Sequence, residues 1–325
     1  AAGNGSLVFA VHQDTVPAEG MTIDPWEPTV RDGRLYGRGA CDNKGPMACM
    51  LTAFAQLVRR HPAGMPTVIM ACTVDEENGF SGARALTELW RQHADPVVTG
   101  LPDAVIVAEP TSLDVVVAHK GVVRWRCQAA GRAAHSSFPE RGDNAIYHMG
   151  HVITACESYA PALARAASHP LLGRPTINLG TIQGGVCVNA VPDHCQIEFD
   201  RRLLPQEDPA AARQAAIEAL AKRIPAAACG QIEHDEPFLA NAGLSEQLNE
   251  RLAARVQQAV GTTGEASERV GVPYATDAPF FAQLGIPTVV FGPGSIAQAH
   301  TADEWISVRQ LRQTVDVYYR LAAVG

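Results

Sequence analysis

Two histidines and several acids stand where hydrophobic runs of this sequence give out, and together they have the chemistry to hold metal ions and to move a proton. His12 and Asp14 close the run from Leu7 to Val11. Positions two apart on an extended chain point the same way, so the Asp14 side chain can hydrogen-bond the ring of His12 and turn its other nitrogen toward a metal. Asp42 follows the turn Gly37-Arg38-Gly39 and opens a helical pattern, where alone it reads as an N-cap. Asp75, Glu76 and Glu77 come directly after the run from Thr67 to Val74. Adjacent side chains diverge, which lets one carboxylate take a metal while its neighbour faces a substrate. Glu109 follows the run from Ala104 to Val107 with a turn-forming Pro110 behind it, and His300 lies in a loop after the run from Pro287 to Phe291. Each alone has an ordinary reading as a cap, a solvated loop or a turn. Two histidines with three carboxylates, and no cysteine among them, make a nitrogen-and-oxygen donor set that suits zinc, cobalt or manganese.

The elements that must position these residues alternate along the chain. Short apolar runs are interleaved with helical patterns at Pro46 to Arg60 and near Ala83 to Gln92. That is the order of an α/β fold, with a mostly parallel sheet and helices on both faces, and open sheets of this kind place ligands at the carboxyl ends of their strands. From Val122 the rhythm changes to long alternating strands, Val122 to Ala129, Thr176 to Thr181 and Cys195 to Arg201, with helices at Asn144 to Tyr159 and Pro209 to Arg223. This block reads as an α+β sandwich inserted into the first domain. Residues 1–117 and 237–325 then form a discontinuous catalytic domain around an insert at 118–236. The α/β rhythm resumes with a helix from Ser245 to Val260, the strand Pro287 to Phe291 and a closing helix from Val308 to Leu321.

Composition narrows the function. At 325 residues and 46% hydrophobic content, the chain can bury ample core in more than one unit. No apolar run approaches the roughly 20 residues of a spanning helix, and Ala1 to Ala10 lacks the pattern of a signal peptide, so a soluble protein that does not engage a membrane is expected. Eight cysteines are scattered in apolar stretches without a Cys-x-x-Cys pair, which points to a reducing cytoplasm. A formal charge of −8 without a basic run leaves no footprint for nucleic acid or an anionic membrane, and a small-molecule partner is expected. The glycines around Arg38 do not complete a nucleotide-binding fingerprint.

Read in order, His12-Gln13-Asp14-Thr15-Val16-Pro17, Gly37-Arg38-Gly39 with Asp42 and Lys44-Gly45, Asp75-Glu76-Glu77, Glu109-Pro110-Thr111 and His300 resemble the dinuclear zinc deacylase and carboxypeptidase family over essentially the whole chain. The acetylornithine deacetylase branch of that family is the one most resembled. The residues that carry this are Ala118-His119-Lys120-Gly121, Ala134-His135-Ser136-Ser137, Asn144-Ala145-Ile146, Asn178-Leu179-Gly180 and Gly292-Pro293-Gly294-Ser295. Pro279 stands where the resembling desuccinylases and some carboxypeptidases carry an arginine for a second substrate carboxylate.

The resemblance implies two zinc ions per subunit, with cobalt or manganese as substitutes. Asp42 bridges them, Glu77 and His300 complete one position, and His12 and Glu109 complete the other. Glu76 is the general base and acid, and Asp14 supports His12. The insert is then a lid and dimerisation domain that makes a homodimer. In it His135 and Asn189 stabilise the oxyanion and Arg202 meets the substrate carboxylate, while Gly292 and Gly294 border the substrate. A cis peptide bond between Asp42 and Asn43 is also implied. Relatives carry a helix and early strands ahead of the strand that ends in His12; a form without them would lack an edge of the catalytic sheet.

The implied reaction is removal of the acyl group from an N-acyl amino acid, N-acetylornithine giving ornithine and acetate. The rivals within the family are a succinyl-diaminopimelate desuccinylase and a metallo-dipeptidase or carboxypeptidase. A rival from another class is a non-catalytic binding protein stapled by metal, against which Glu76 argues, because a staple needs ligands and no base.

Overall fold

The computed structural model describes residues 5–323. It divides into two compact units, one of Ala1–Ala118, Leu244–Val272 and Thr276–Gly325, the other of His119–Gly243 and Pro273–Ala275. In the first unit a six-stranded sheet runs in the order Arg269–Val272, Val115–His119, Thr288–Val290, Ala104–Val107, Ser6–His12, Thr67–Thr73. The last four are parallel, whereas Val115–His119 runs antiparallel to Thr288–Val290.

Alternate residues of the central strands enter different cores. Leu7, Phe9, Val11, Ile106 and Val289 pack with Met50 and Leu57 of helix Lys44–Arg60, Val256 of helix Glu250–Gly261 and Tyr318 of helix Val308–Ala323. Val8, Ala10, Val105 and Val107 pack with Trp90 of helix Ser81–Arg91 and Phe281 of helix Ala278–Ala282. A sheet covered by helices on both faces needs apolar side chains at every position of its inner strands, which is why these strands read as unbroken apolar runs.

A smaller sheet of Thr29–Arg31, Arg34–Tyr36 and Trp305–Ser307 stands apart from the first. Its hairpin turns at Asp32-Gly33, both with positive φ (50° and 73°), the backbone that a two-residue connection between antiparallel strands demands. Pairing of Trp305 with Tyr36 brings the chain just after His300 beside the chain just before Asp42.

The second unit is antiparallel. Gly121–Ala130 pairs with His194–Leu203, Ile232–His234 and Leu239–Asn241, and His194–Leu203 pairs in turn with Thr176–Gly184. One face is dry. Trp125, Cys127, Ile197 and Phe199 pack with helices Ala145–Ala166 and Pro209–Ala221, and the directly opposed Trp125 and Phe199 rings stack 4.6 Å apart. Because Leu239–Asn241 belongs to this sheet, the second unit runs past Glu236 to Gly243.

Two helices differ from expectation. The one expected to stop at Tyr159 continues through Pro161 to Ala166, since buried Leu163 keeps the extra turns against the core even though Pro161 cannot donate a main-chain hydrogen bond. The one expected from Ser245 to Val260 breaks at Asn249 into a 3-10 turn, Glu246–Leu248, and helix Glu250–Gly261. The Asn249 amide donates to the carbonyls of Val117 and Ser245 and accepts from the Thr288 N–H, serving a sheet end in place of a helix. All eight cysteines are free, and among the described residues no helix is long and apolar enough to cross a membrane.

Candidate metal centre

Parallel strands that start level also finish level, so the segments after Ser6–His12, Thr67–Thr73 and Ala104–Val107 emerge together. His12 pairs with Thr73, and Ala10 with Val107. His12 is therefore beside the Glu76-Glu77 segment on one hand and the Glu109 segment on the other. Asp42 and His300 arrive from the turn and the loop joined through the smaller sheet. The structure brings these five residues into two groups that share Asp42: His12, Asp42 and Glu109, and Asp42, Glu77 and His300. Within each group the candidate ligand atoms lie within 4.8 Å of one another. His12 Nε2 is 3.0 Å from Asp42 Oδ1 and 3.7 Å from Glu109 Oε1. His300 Nε2 is 3.3 Å from Asp42 Oδ2 and 3.1 Å from Glu77 Oε2. Asp42 thus turns one oxygen to each group. The Asp42–Asn43 peptide bond is cis, as the resemblance implies.

The set fits divalent metal. Among the described residues nothing donates a hydrogen bond to buried Glu109 Oε1, and the donors are nitrogen and oxygen only, the combination that zinc, cobalt and manganese accept. His12 is held from behind by Asp14. Here the structure corrects an expectation in detail: the hydrogen-bond partner of His12 Nδ1 is the main-chain carbonyl of Asp14 at 3.1 Å, with the carboxylate farther off at 3.5 Å. That carboxylate instead accepts the N–H of Glu77 through Oδ2 at 3.2 Å and so links both groups.

The acids of the site favour the charged form of its two histidines. Burial works against a cation at His12, but Asp14, Asp42 and Glu109 outweigh it and carry the ring to about 12. Hydrogen bonding to Asp42 and Glu77 lifts His300 to about 10 against burial. Burial pushes the Asp42 carboxyl up, yet His12 and His300 bring it down to about 2. Burial raises the Glu76 carboxyl well above the usual range, with Asp277, Asp42 and Glu77 adding to it against the pull of His12. Burial likewise raises Glu109, with Asp42, Glu76 and Asp277 adding to it against the pull of His12.

Two acids at this site were not singled out from the sequence. Asp277 is buried, accepts the Thr73 hydroxyl at 2.7 Å, and has its carboxyl raised to about 6, first by burial. Glu304 is buried and accepts the Arg38 guanidinium at 2.7 Å. Neither follows directly on an apolar strand, the signal that marks the other acids.

Gly292 and Gly294 are buried beside the cluster. A Cβ at Gly292 would stand 2.5 Å from the Glu109 carbonyl, and one at Gly294, where φ is +84°, 2.7 Å from Cys41 Sγ. In the second unit, His135 and Asn189 are exposed neighbours: His135 pairs with Ala190, and the Ser136 N–H donates to the Asn189 carbonyl at 3.0 Å. Arg202, on the strand His194–Leu203, donates from Nε to Asp200 at 2.7 Å.

A sheet with acids and histidines converging at its carboxyl ends around a shared aspartate defines a candidate metal-dependent hydrolase. The sequence pattern of Peptidase family M20/M25/M40 matches residues 8–324. An acetylornithine deacetylase of Pectobacterium carotovorum is 35% identical over 321 residues, which span 96% of this chain and 78% of the relative. One of Photorhabdus laumondii is 34% identical over 326 residues, 98% and 80% of the two chains. Among solved structures, aminopeptidase PepT of Bacillus cereus superposes with a TM-score of 0.75 at 24% identity, covering 99% of this chain and 81% of that one. The chain belongs to peptidase family M20/M25/M40 and is a hydrolase acting on an amide bond.

Proposed function

We propose that the chain is a metal-dependent deacylase of N-acyl amino acids, with N-acetylornithine as its substrate and ornithine and acetate as products. The observation that carries this reading is the pair of groups sharing Asp42 with Glu76 immediately before one of the ligands. The names of the two bacterial relatives support the substrate, as does Pro279, buried where a second-carboxylate arginine would stand in a desuccinylase.

His12 and Glu109 with Asp42 would hold one ion, and Glu77 and His300 with Asp42 would hold the other; zinc is the ion we assign, with cobalt or manganese able to replace it. When bound, the pair supplies Lewis acidity that polarises the amide carbonyl and lowers the pKa of water. Glu76 takes the proton of the attacking water on its carboxylate and returns it to the departing amine. Asp14 orients the His12 ring. In the second unit His135 and Asn189 steady the oxyanion, and Arg202, already oriented by Asp200, receives the substrate carboxylate. Gly292, packed against the Glu109 backbone, and Gly294, packed against Cys41, are assigned to the border of the substrate. We assign the second unit to homodimer formation and the enzyme to a reducing cytoplasm, which the eight free cysteines support.

A panel of acetylornithine, succinyl-diaminopimelate and simple dipeptides, run with metal analysis on the same preparation, tests this. Fastest turnover of acetylornithine is expected. Preference for succinyl-diaminopimelate or a dipeptide would move the substrate within the family, and bound metal with no hydrolysis of any would leave only a staple.

A further inference from the structure

The turn that delivers Asp42 is held by one residue of another segment. Glu304 is fully buried. Its Oε1 accepts the main-chain N–H groups of Cys41 at 2.7 Å and Asp42 at 2.9 Å. Its Oε2 accepts the Gly39 N–H at 3.0 Å and Arg38 Nη1 at 2.7 Å. Its own carbonyl accepts the Gly37 N–H at 3.1 Å. Five donors from residues 37–42 therefore converge on Glu304.

A buried carboxylate is costly unless paired and hydrogen-bonded, and an ion pair with Arg38 alone would meet part of that demand. Three main-chain amides aimed at the same group do something else: they make the turn a concave cradle of N–H dipoles that closes only around an anion. The backbone of Asp42 is then set by where Glu304 sits. Glu304 lies four residues after His300, whose Nε2 is 3.3 Å from Asp42 Oδ2. One short segment thus grips Asp42 twice, by its main chain through Glu304 and by its side chain through His300.

We propose that Glu304 is a positioning residue of the metal centre, fixing the shared Asp42 against His300 so that both metal positions depend on it. This rests on the metal-centre reading above. A glutamine at position 304 has one acceptor oxygen and an NH2 that would oppose the N–H of the turn, and it leaves Arg38 without a counter-charge. Aspartate keeps the charge but stops one methylene short.

The experiment titrates the metal-free protein, Glu304→Gln and Glu304→Asp with Zn2+ by calorimetry and with Co2+ by its visible spectrum, and follows amide exchange of Gly39, Cys41 and Asp42 before metal is added. In Glu304→Gln, affinity at both positions is expected to fall by about 10- to 100-fold. The cobalt spectrum should change, kcat should fall with KM within about twofold of the parent, and the three amides should exchange at least about tenfold faster. Glu304→Asp should recover part of each. A folded Glu304→Gln with parental metal affinities and cobalt spectrum overturns the proposal, even if its thermal stability is lower. If that variant does not fold, Glu304→Asp decides in the same way, parental affinities overturning the proposal. A parent that takes up no metal fails the metal-centre reading itself, visibly and before any variant is compared, and takes this inference with it.

Discussion

Charged residues meet opposite fates in the two units. On the open face of the antiparallel sheet they are consumed by each other: Arg124 faces Asp200 across the strands and pairs with it at 2.7 Å, and Arg126 faces Glu198 at 3.0 Å. At the carboxyl ends of the parallel sheet, acids outnumber bases and are left looking at one another. Asp42, Glu76, Glu77, Glu109 and Asp277 share two histidines, and Glu109 and Asp277 each keep a buried oxygen that no described residue serves. The first arrangement is complete as it stands. In the second, acids crowd together beyond what the two histidines can pair, and that excess marks a candidate site where a ladder of satisfied pairs marks a surface.

The comparison can be broken most sharply at Glu76. If the acids have divided roles, Glu76→Gln keeps both metals while turnover falls by about 10²- to 10⁴-fold, and Glu77→Gln loses metal. Metal content measured beside kcat checks this, and metal loss in the Glu76 variant with retention in the Glu77 variant would reverse the two assignments.

Sharing by Asp42 gives the next largest effect. Asp42→Ala should weaken both metal positions, whereas His300→Ala and His12→Ala should each weaken one. Stoichiometry by elemental analysis reads the difference, and equal loss from all three variants would contradict a shared ligand.

Proton release tests the excess charge directly. His12 at about 12 and His300 at about 10 are protonated in the metal-free protein near neutral pH, and a ligating histidine must be neutral. Metal uptake must expel those protons, so apparent affinity should rise with pH, by about tenfold per pH unit for each proton displaced. Calorimetry in buffers of different ionisation heat counts the protons. Uptake without proton release would show that the rings are already neutral.

The smallest effect belongs to the satisfied ladder. Arg124→Ala should cost about 0.2–1 kcal/mol of stability, because a partly exposed pair gains little over its solvated ends. Metal content should not change, and a denaturant titration beside elemental analysis checks both.

The strand-end residues were legible because the fold makes them so. A parallel strand buried on both faces is an unbroken apolar run, and a polar residue just beyond it is at the ligand end, which is how His12 and Glu109 could be marked from the order of residues; Glu76 and Glu77 follow an edge strand, Thr67–Thr73, that is only partly buried and whose run is apolar at its centre. The insert was legible from the change to alternating strands. Less legible were elements whose shape depends on a distant partner, such as the helix through Pro161 that Leu163 holds to its core, and the break at Asn249, whose amide serves Val117 and Thr288.

What the sequence determined by itself is local: the periodicity that makes each element, the acids and histidines placed where those elements end, and the motifs that tie the chain to its family. Tertiary structure decided which of those groups meet. Asp277 carries no signal along the sequence until Thr73, 204 residues away, donates to it, and Glu304 carries none until the turn at Gly39 to Asp42 closes around it. Periodicity reports on the few neighbours that share a helix face or a strand, whereas a buried carboxylate is stabilised by whatever donors the folded chain brings to it, however far they lie along the sequence.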